Sequence, residues 1–325
     1  MLVTRPRLHL GAFPTPIHRI SGLTGIESLW VKRDDQSAPG YGGNKVRKLE
    51  YILAAARAEG RERLITLGAA GSHHVLATAY FGKRAGFAVD AVLVPQIETP
   101  HVIENLRADL ALGANIVPAS TFPSAALHVL AEKRADAYYV HLGGSSDVGT
   151  HGYVDAAFEL AKQIEWGECP MPDEIVVALG SGGTAAGLLV GIEKAKLNVR
   201  VRAVAISTPV PVLKKMMTRL VKAGARAHGV DPQRALARAV VDAEWVGEGY
   251  GSPTKEAQHA IAEAEGHLVL DGTYSAKAFA AALHHARNGT RTLFWHTLSS
   301  ASLAPLLSQA PSEEEVRRTY KSLLL

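Results

Sequence analysis

Apolar positions along the chain fall into two spacings. Val46, Leu49, Leu53 and Ala56 recur at helical intervals behind Asn44, so the pattern predicts an amphipathic helix over 44–59 with Asn44 as its N-cap. Short apolar runs of strand type stand at 29–33, 64–67, 89–94, 116–117, 138–140, 175–179, 201–206, 268–270 and 292–295. Helical patterns separate them, running to about 84, over 101–112 and 124–134, to about 164 and 195, over 211–223 and 253–265, and beyond 277. The first 16 residues read as an irregular arm. Strand and helix in regular alternation predict an α/β protein whose sheets are mostly parallel and covered on both faces.

Length adds a domain count: 325 residues predict about two domains. No repeat and no low-complexity segment interrupts the alternation. A formal net charge of +4 without a block of like charges argues against nucleic acid and suits a small anionic ligand. Cys169 is the single cysteine, so no intramolecular disulfide can form. The N-terminal residues lack an apolar signal core and no run of about 18 apolar residues occurs, so a cytoplasmic protein without a membrane span is expected.

Two stretches carry candidate chemistry. In Gly42-Gly43-Asn44-Lys45-Val46-Arg47-Lys48-Leu49-Glu50, Lys45 falls in the first turn of the predicted helix. The positive end of the helix dipole and the charges of Arg47 and Lys48 both lower a lysine pKa there, and such a lysine is a nucleophile that can form a Schiff base. Gly180-Ser181-Gly182-Gly183-Thr184 lies between a predicted strand and a helix. Outward N–H groups, close-approach glycines and the hydroxyls of Ser181 and Thr184 suit a phosphate. The loop also satisfies the loose dinucleotide pattern Gly-x-Gly-x-x-Ala, but no acidic residue for a ribose ends the next strand at Ile206-Ser207, so a nicotinamide oxidoreductase is the alternative for this motif. The pairs His73-His74 and His284-His285 splay apart on a helix, so no metal is expected.

An early Schiff-base lysine and a late phosphate loop resemble the anchors of tryptophan synthase β-like (fold type II) pyridoxal phosphate enzymes. The lysine motif above is more closely similar to that of the 1-aminocyclopropane-1-carboxylate deaminase and D-cysteine desulfhydrase family. The resemblance runs over nearly the whole chain, through Gly71-Ser72-His73-His74, Gly143-Gly144-Ser145, Gly152-Tyr153, Gly249-Tyr250-Gly251-Ser252-Pro253, Tyr274-Ser275-Ala276-Lys277 and His296-Thr297. It implies two three-layer α/β domains with mostly parallel sheets. A large cofactor domain would comprise 1–46 and 155–325, a small mobile domain 47–154, and the active site would lie between them. A homodimer is expected.

The resemblance also implies roles. Lys45 would carry pyridoxal 5'-phosphate, with Asn44 and His73 beside the cofactor. Gly180, Ser181, Gly182, Gly183 and Thr184 would bind its phosphate, and Ser275 and Thr297 would sit near its ring. Ser72, His73, His74, Tyr250 and Tyr274 would face a small amino-acid substrate, with Lys45, Ser72, Tyr250 and Tyr274 as the catalytic set. The implied reaction is β-elimination from D-cysteine to pyruvate, ammonia and hydrogen sulfide. Alternatives are 1-aminocyclopropane-1-carboxylate deamination and elimination from L-cysteine, L-cysteate or β-chloroalanine. Three departures from the family pattern stand out: His73 replaces an asparagine, Ala276 a glycine, and Leu298-Ser299 a Gly-Gly pair; the first and last make a non-catalytic ligand sensor a further alternative.

Overall fold

The alternation is realised in a computed structural model that describes residues 5–133, 136–249, 251–252 and 254–325. In chain order the elements are β1 (Ile17–Arg19), β2 (Leu29–Lys32), α1 (Lys45–Ala58), β3 (Arg63–Ala69), α2 (His73–Arg84), β4 (Ala88–Val94), α3 (Pro100–Ala111), β5 (Asn115–Pro118), α4 (Phe122–Lys133), β6 (Ala137–Val140), α5 (His151–Glu165) and β7 (Glu174–Leu179). They continue with α6 (Gly183–Ala195), β8 (Arg200–Ala205), α7 (Val210–His228), α8 (Pro232–Ala237), β9 (Ala239–Asp242), α9 (Lys255–Glu263), α10 (Ser275–Arg287), β10 (Thr292–Trp295), α11 (Ala304–Leu307) and α12 (Glu313–Thr319). Two compact units result, one of residues 11–48 and 145–300, the other of 5–10, 49–144 and 301–325. The boundary falls inside α1, after Lys48.

In the first unit, six strands lie in the order β1-β2-β10-β7-β8-β9, parallel except for β1. Strand β7 shows why its run is apolar throughout. Ile175, Val177 and Leu179 pack with residues of α5, α6 and α7, while Val176 packs with Phe279 and the alanines of α10. Helices α5 and α6 approach closely because glycines recur every fourth residue on α6. A Cβ at Gly187 would stand 2.4 Å from Tyr153 Cβ, and one at Gly191 2.6 Å from Ala157 Cβ.

In the second unit, four parallel strands lie in the order β5-β4-β3-β6. Helix α4 covers Ile65, Leu67, Val92 and Val94. Helix α2 packs where Gly82 meets Leu64 and Val89, the alternate positions of the same strands. The C-terminus is tied to the end of β4: Gln96 N–H donates to Leu323 O at 3.1 Å, and Leu325 N–H to Gln96 O at 3.0 Å. Residues 301–325 thus group with the second unit.

Residues 268–270 form no strand; Leu268 and Leu270 pack under α10 while Val269 faces out. Their alternation reflects a half-buried connector, since both neighbours of β10 are already supplied by β2 and β7. The edge strands β1 and β9 and the short helix α8 were not expected, being short and only partly buried.

Asp109 on α3 is fully buried, and neither carboxyl oxygen has a hydrogen-bond partner among the described residues. Burial holds its pKa well above the ordinary carboxylate value. The unfolded chain releases this proton first, so the carboxyl costs stability progressively as pH rises from about 4 toward its folded pKa. The urea midpoint should fall with rising pH over that range, and Asp109→Asn should flatten the slope. An unchanged slope in the variant would place the titration elsewhere.

Candidate active site

Lys45 opens α1 and is half-buried. Desolvation brings its pKa down from 10.5 to about 8, against the opposing charge of Asp271. Neither Arg47 nor Lys48 lowers that pKa as expected from sequence, and the Arg47 charge is paired elsewhere. Its guanidinium donates to Asp34 through Nε (2.9 Å) and Nη2 (2.8 Å) and to Glu159 through Nη1 (2.9 Å) and Nη2 (2.8 Å). Lys32 Nζ adds a bond to Glu159, and Tyr153 and Trp295 each donate to Asp34 Oδ2 at 2.7 Å. Two cations and two anions balance in this cluster, which locks the first turn of α1 in place.

Asn44 orients the lysine. Its Oδ1 accepts from Lys45 Nζ at 2.6 Å, its Nδ2 donates to Thr184 Oγ1 at 3.0 Å, and its N–H donates to Thr297 O at 3.0 Å. A Cβ at Gly43 would lie 2.9 Å from that same Thr297 oxygen, so only glycine fits. Ser299, one of the departures from the family pattern, holds the glycine turn in front of the lysine. Its Oγ accepts Gly42 N–H at 2.9 Å.

Beside Thr184 the loop 180–184 forms a cup at the start of α6. Gly183 N–H donates to Ser145 Oγ at 3.0 Å, and Ser145 Oγ lies 2.7 Å from Ser181 Oγ. Lys48 Nζ, one turn beyond Lys45, lies 3.5 Å from Ser145 Oγ. Burial and the neighbouring Lys45 charge push Lys48 well below the usual lysine range. A buried Lys48 ammonium beside half-buried Lys45, three hydroxyls and a helix start together suit an anion, and a phosphate fits that donor set. Neither Lys48 nor Ser145 is expected in the cup from the sequence alone. The three-residue step from Lys45 to Lys48 on one helix face was the signal.

The cup also explains Gly183: a Cβ there would stand 2.4 Å from Ser145 Oγ and 3.0 Å from its Cα. Gly183→Ala should displace Ser145 and weaken cofactor retention by about ten-fold or more, the loss of one charge-assisted hydrogen bond. Dialysis followed by absorbance measures this, and native retention would show that Ser145 is dispensable. Gly182 has φ +88° and packs on Met217.

Tyr274 and Ser275 lie at the start of α10. Tyr274 Cε1 lies 3.2 Å from where a Gly180 Cβ would stand, which brings this residue to the cup. Asp271 accepts from Thr273, Tyr274 and Ser275 N–H at 2.9, 2.6 and 3.0 Å. The Ser275 hydroxyl donates to Asp271 Oδ2 at 2.6 Å. Sequence reasoning gave Asp271 no role. Thr297 is partly buried at the end of β10, and Tyr250 lies outside the described residues.

Ser72, His73 and His74 belong to the second unit. Ser72 is the N-cap of α2 without a side-chain capping bond, and a Cβ at Gly68 would meet its Oγ at 2.9 Å. The His73 ring packs on His101 with centroids 4.6 Å apart. His74 is buried. Thr66 Oγ1 donates to Val140 O, so it accepts from His74 Nε2 at 2.8 Å, which ties that ring to β3.

Residues 8–297 match the family described as "Pyridoxal-phosphate dependent enzyme". The chain is 34% identical to the nocardicin C-9' epimerase of Nocardia uniformis subsp. tsuyamanensis, over 95% of this chain and 97% of that one. It is 37% identical to the D-cysteine desulfhydrase of Salmonella paratyphi B, over 85% and 87%. Among solved structures, an ACC deaminase homologue superposes with a TM-score of 0.80 at 31% identity, covering 95% of this chain and 97% of that one. A half-buried lysine of lowered pKa, an anion cup at a helix start and these likenesses converge: the chain belongs to the pyridoxal-phosphate dependent enzymes, with their tryptophan synthase β-like α/β fold.

Proposed function

We propose that this protein is a lyase that eliminates the β-substituent of a small amino acid, with D-cysteine and water giving pyruvate, ammonia and hydrogen sulfide. The observation that carries the reading is Lys45, a half-buried amine with a pKa of about 8 held by Asn44 beside the cup. Lys48, Ser145, Ser181, Gly183 and Thr184 would hold the phosphate, and Lys45 would attach the cofactor. Pyridoxal phosphate, when bound, supplies the electron sink for the pair left at Cα.

Lys45 Nζ is the base that takes the Cα proton; a lysine near pH 8 holds a usable neutral fraction at physiological pH. The N–H groups of α2 behind Ser72 suit the substrate carboxylate, as a helix start suits any anion. Tyr250 and Tyr274 would line the substrate side. Ser275 and Thr297 would present hydroxyls rather than a carboxylate to the ring. That makes a weaker sink, sufficient for a thiolate whose conjugate acid has a pKa of about 8.5. Opening a carbon ring would need more. D-cysteine is preferred because a desulfhydrase with that substrate in its name is 37% identical to this chain.

The test is an assay of pyruvate from D-cysteine, L-cysteine, β-chloroalanine and L-cysteate, and of 2-oxobutyrate from 1-aminocyclopropane-1-carboxylate. D-cysteine should lead, and cyclopropane turnover should be negligible; a lead by the cyclopropane compound overturns the reading. The likeness to an epimerase over nearly its full length favours one second reading, inversion at Cα. In deuterium oxide, label at Cα without pyruvate would establish it. The expected setting is a cytoplasmic homodimer. The buried Cys169 thiol, pushed up to about 11, suits a reducing compartment, and light scattering measures the assembly.

A further inference from the structure

Within the second unit, the turn between β3 and α2 is held by segments far from it in the chain. Gly71 is buried there, and both of its backbone polar groups are taken by side-chain amides. Its N–H donates to Gln96 Oε1 at 3.0 Å, and its carbonyl accepts from Asn105 Nδ2 at 2.9 Å. A Cβ at Gly71 would stand 2.8 Å from Val102 Cγ2 and 3.2 Å from Val102 Cα, so the turn lies flush against α3. The flanking N–H groups are bonded too, Ala70 to Val94 O at 3.1 Å and Ser72 to Ala69 O at 3.0 Å. Residues 323–325 fix Gln96. Its N–H donates to Leu323 O at 3.1 Å, its carbonyl accepts from Leu325 N–H at 3.0 Å, and Glu98 N–H donates to Leu325 O at 3.1 Å. Asn105 is fully buried. Its Nδ2 also lies 3.3 Å from His101 Nε2, while its Oδ1 has no partner among the described residues.

We infer that Gln96 and Asn105 are positioning residues: two amides that clamp the peptides meeting at Gly71, with Gln96 braced by residues 323–325, and so set the start of α2. An amide oxygen buried without a donor is costly, and a fold tolerates it where the other end of the group is needed. Here that end is the Nδ2 donor to Gly71. The two clamping bonds are opposite in sense, since Gln96 must accept and Asn105 must donate. Two fixed peptides leave the chain one direction of entry into α2. The Ser72 side chain makes no capping bond to the first turn, so the aim of its N–H groups is set by the backbone. A turn fixed before binding spares a ligand the cost of ordering it. This inference rests on the reading that those N–H groups receive the substrate carboxylate.

The experiment compares native holoenzyme with Gln96→Met, Gln96→Glu, Asn105→Leu and Leu325→Pro. Glutamate keeps the acceptor that Gly71 N–H needs, whereas methionine and leucine fill a similar volume without the bond. Leu324 has φ −113° and ψ 121°, which a following proline accepts, and the Leu325 side chain is exposed. Leu325→Pro therefore removes chiefly the N–H donated to Gln96. Hydrogen exchange of the peptide covering 69–76 is followed by mass spectrometry, and steady-state kinetics with D-cysteine are run in parallel. Exchange should quicken about two- to ten-fold in Gln96→Met and Asn105→Leu, the worth of one hydrogen bond, and about two-fold in Leu325→Pro, while Gln96→Glu should match native protein. KM should rise in Gln96→Met and Asn105→Leu by more than kcat falls, with cofactor absorbance retained. Native exchange in those two variants would overturn the clamp. Equal quickening in Gln96→Glu and Gln96→Met would overturn the accepting role, and native exchange in Leu325→Pro would overturn the brace. Faster exchange with native KM would overturn the positioning role. Should native enzyme turn over none of the amino acids, the proposed function fails on its own, while the exchange result still decides whether the two amides hold the turn.

Discussion

Lys45→Ala should fold, bind no cofactor covalently and turn over no amino acid above about a thousandth of the native rate, since a positioned base alone accounts for about a hundred- to ten-thousand-fold. Mass spectrometry of the native enzyme after borohydride reduction should place the pyridoxyl adduct on Lys45. An adduct on Lys48 or Lys277 would sink the assignment. Stability separates this loss from misfolding, with both proteins compared free of cofactor. The folded pKa lies below the unfolded one, so below about pH 8 both states hold the proton and the native fold carries the full cost of the desolvated charge. From about pH 8 to 10.5 the folded state loses its proton first and the cost fades. A drop from 10.5 to about 8 corresponds to on the order of 3 kcal/mol, partly offset in alanine by lost packing of the methylenes. The variant should therefore unfold at no lower urea concentration than native protein at pH 7, and any advantage should shrink above pH 8.

Arg47→Met is expected to cost about 3–5 kcal/mol at pH 7, the usual penalty for removing one partner from a buried ion pair. Asp34 is fully buried, and Glu159 nearly so. Methionine preserves much of the volume but returns none of the guanidinium's bonds to Asp34, Glu159 and Thr15. In the native fold, burial raises both carboxyls, but Arg47 overcomes this and holds them below their ordinary values. Their contribution is present above the unfolded carboxylate range and is lost as pH falls through the folded pKa. Without Arg47 that cation disappears, the carboxyls rise, and acidification from neutrality should relieve the variant. The gap between native and variant urea midpoints should thus narrow toward pH 4. A cost under about 1 kcal/mol, the range of exposed pairs, would show that the cluster is solvated. Because Arg47 lies two residues from Lys45, the same variant should also lower cofactor occupancy.

Much of this architecture was legible from periodicity. The helix over 44–59 appears as α1 (Lys45–Ala58), and the buried runs at 64–67, 89–94, 175–179 and 292–295 all became parallel strands. A strand buried on both faces must be apolar at successive positions, whatever it packs against. The glycine loop at 180–184 and the lysine after Gly42-Gly43-Asn44 were equally plain, because close approach and a helix start leave a local signature. What failed was also local in cause. Residues 268–270 carry strand spacing without a strand, and β1 and β9 are edges too short to show one.

The chain by itself determined the α/β alternation, the helix that begins at Lys45 and the anion loop, since each depends on residues within one or two turns. Only the tertiary structure decided which charges are buried. Lys32, Arg47, Lys48, Asp34 and Lys277 look like surface residues in the sequence, and each becomes inaccessible through partners that include residues more than a hundred positions away or on another element. Lys45 gains its low pKa the same way, from desolvation more than from the neighbouring charges that the sequence displays. Burial is a property of the packed chain, and water is excluded only when segments distant in sequence close over a side chain. The order of residues therefore specifies the reactive group, and the fold specifies its reactivity.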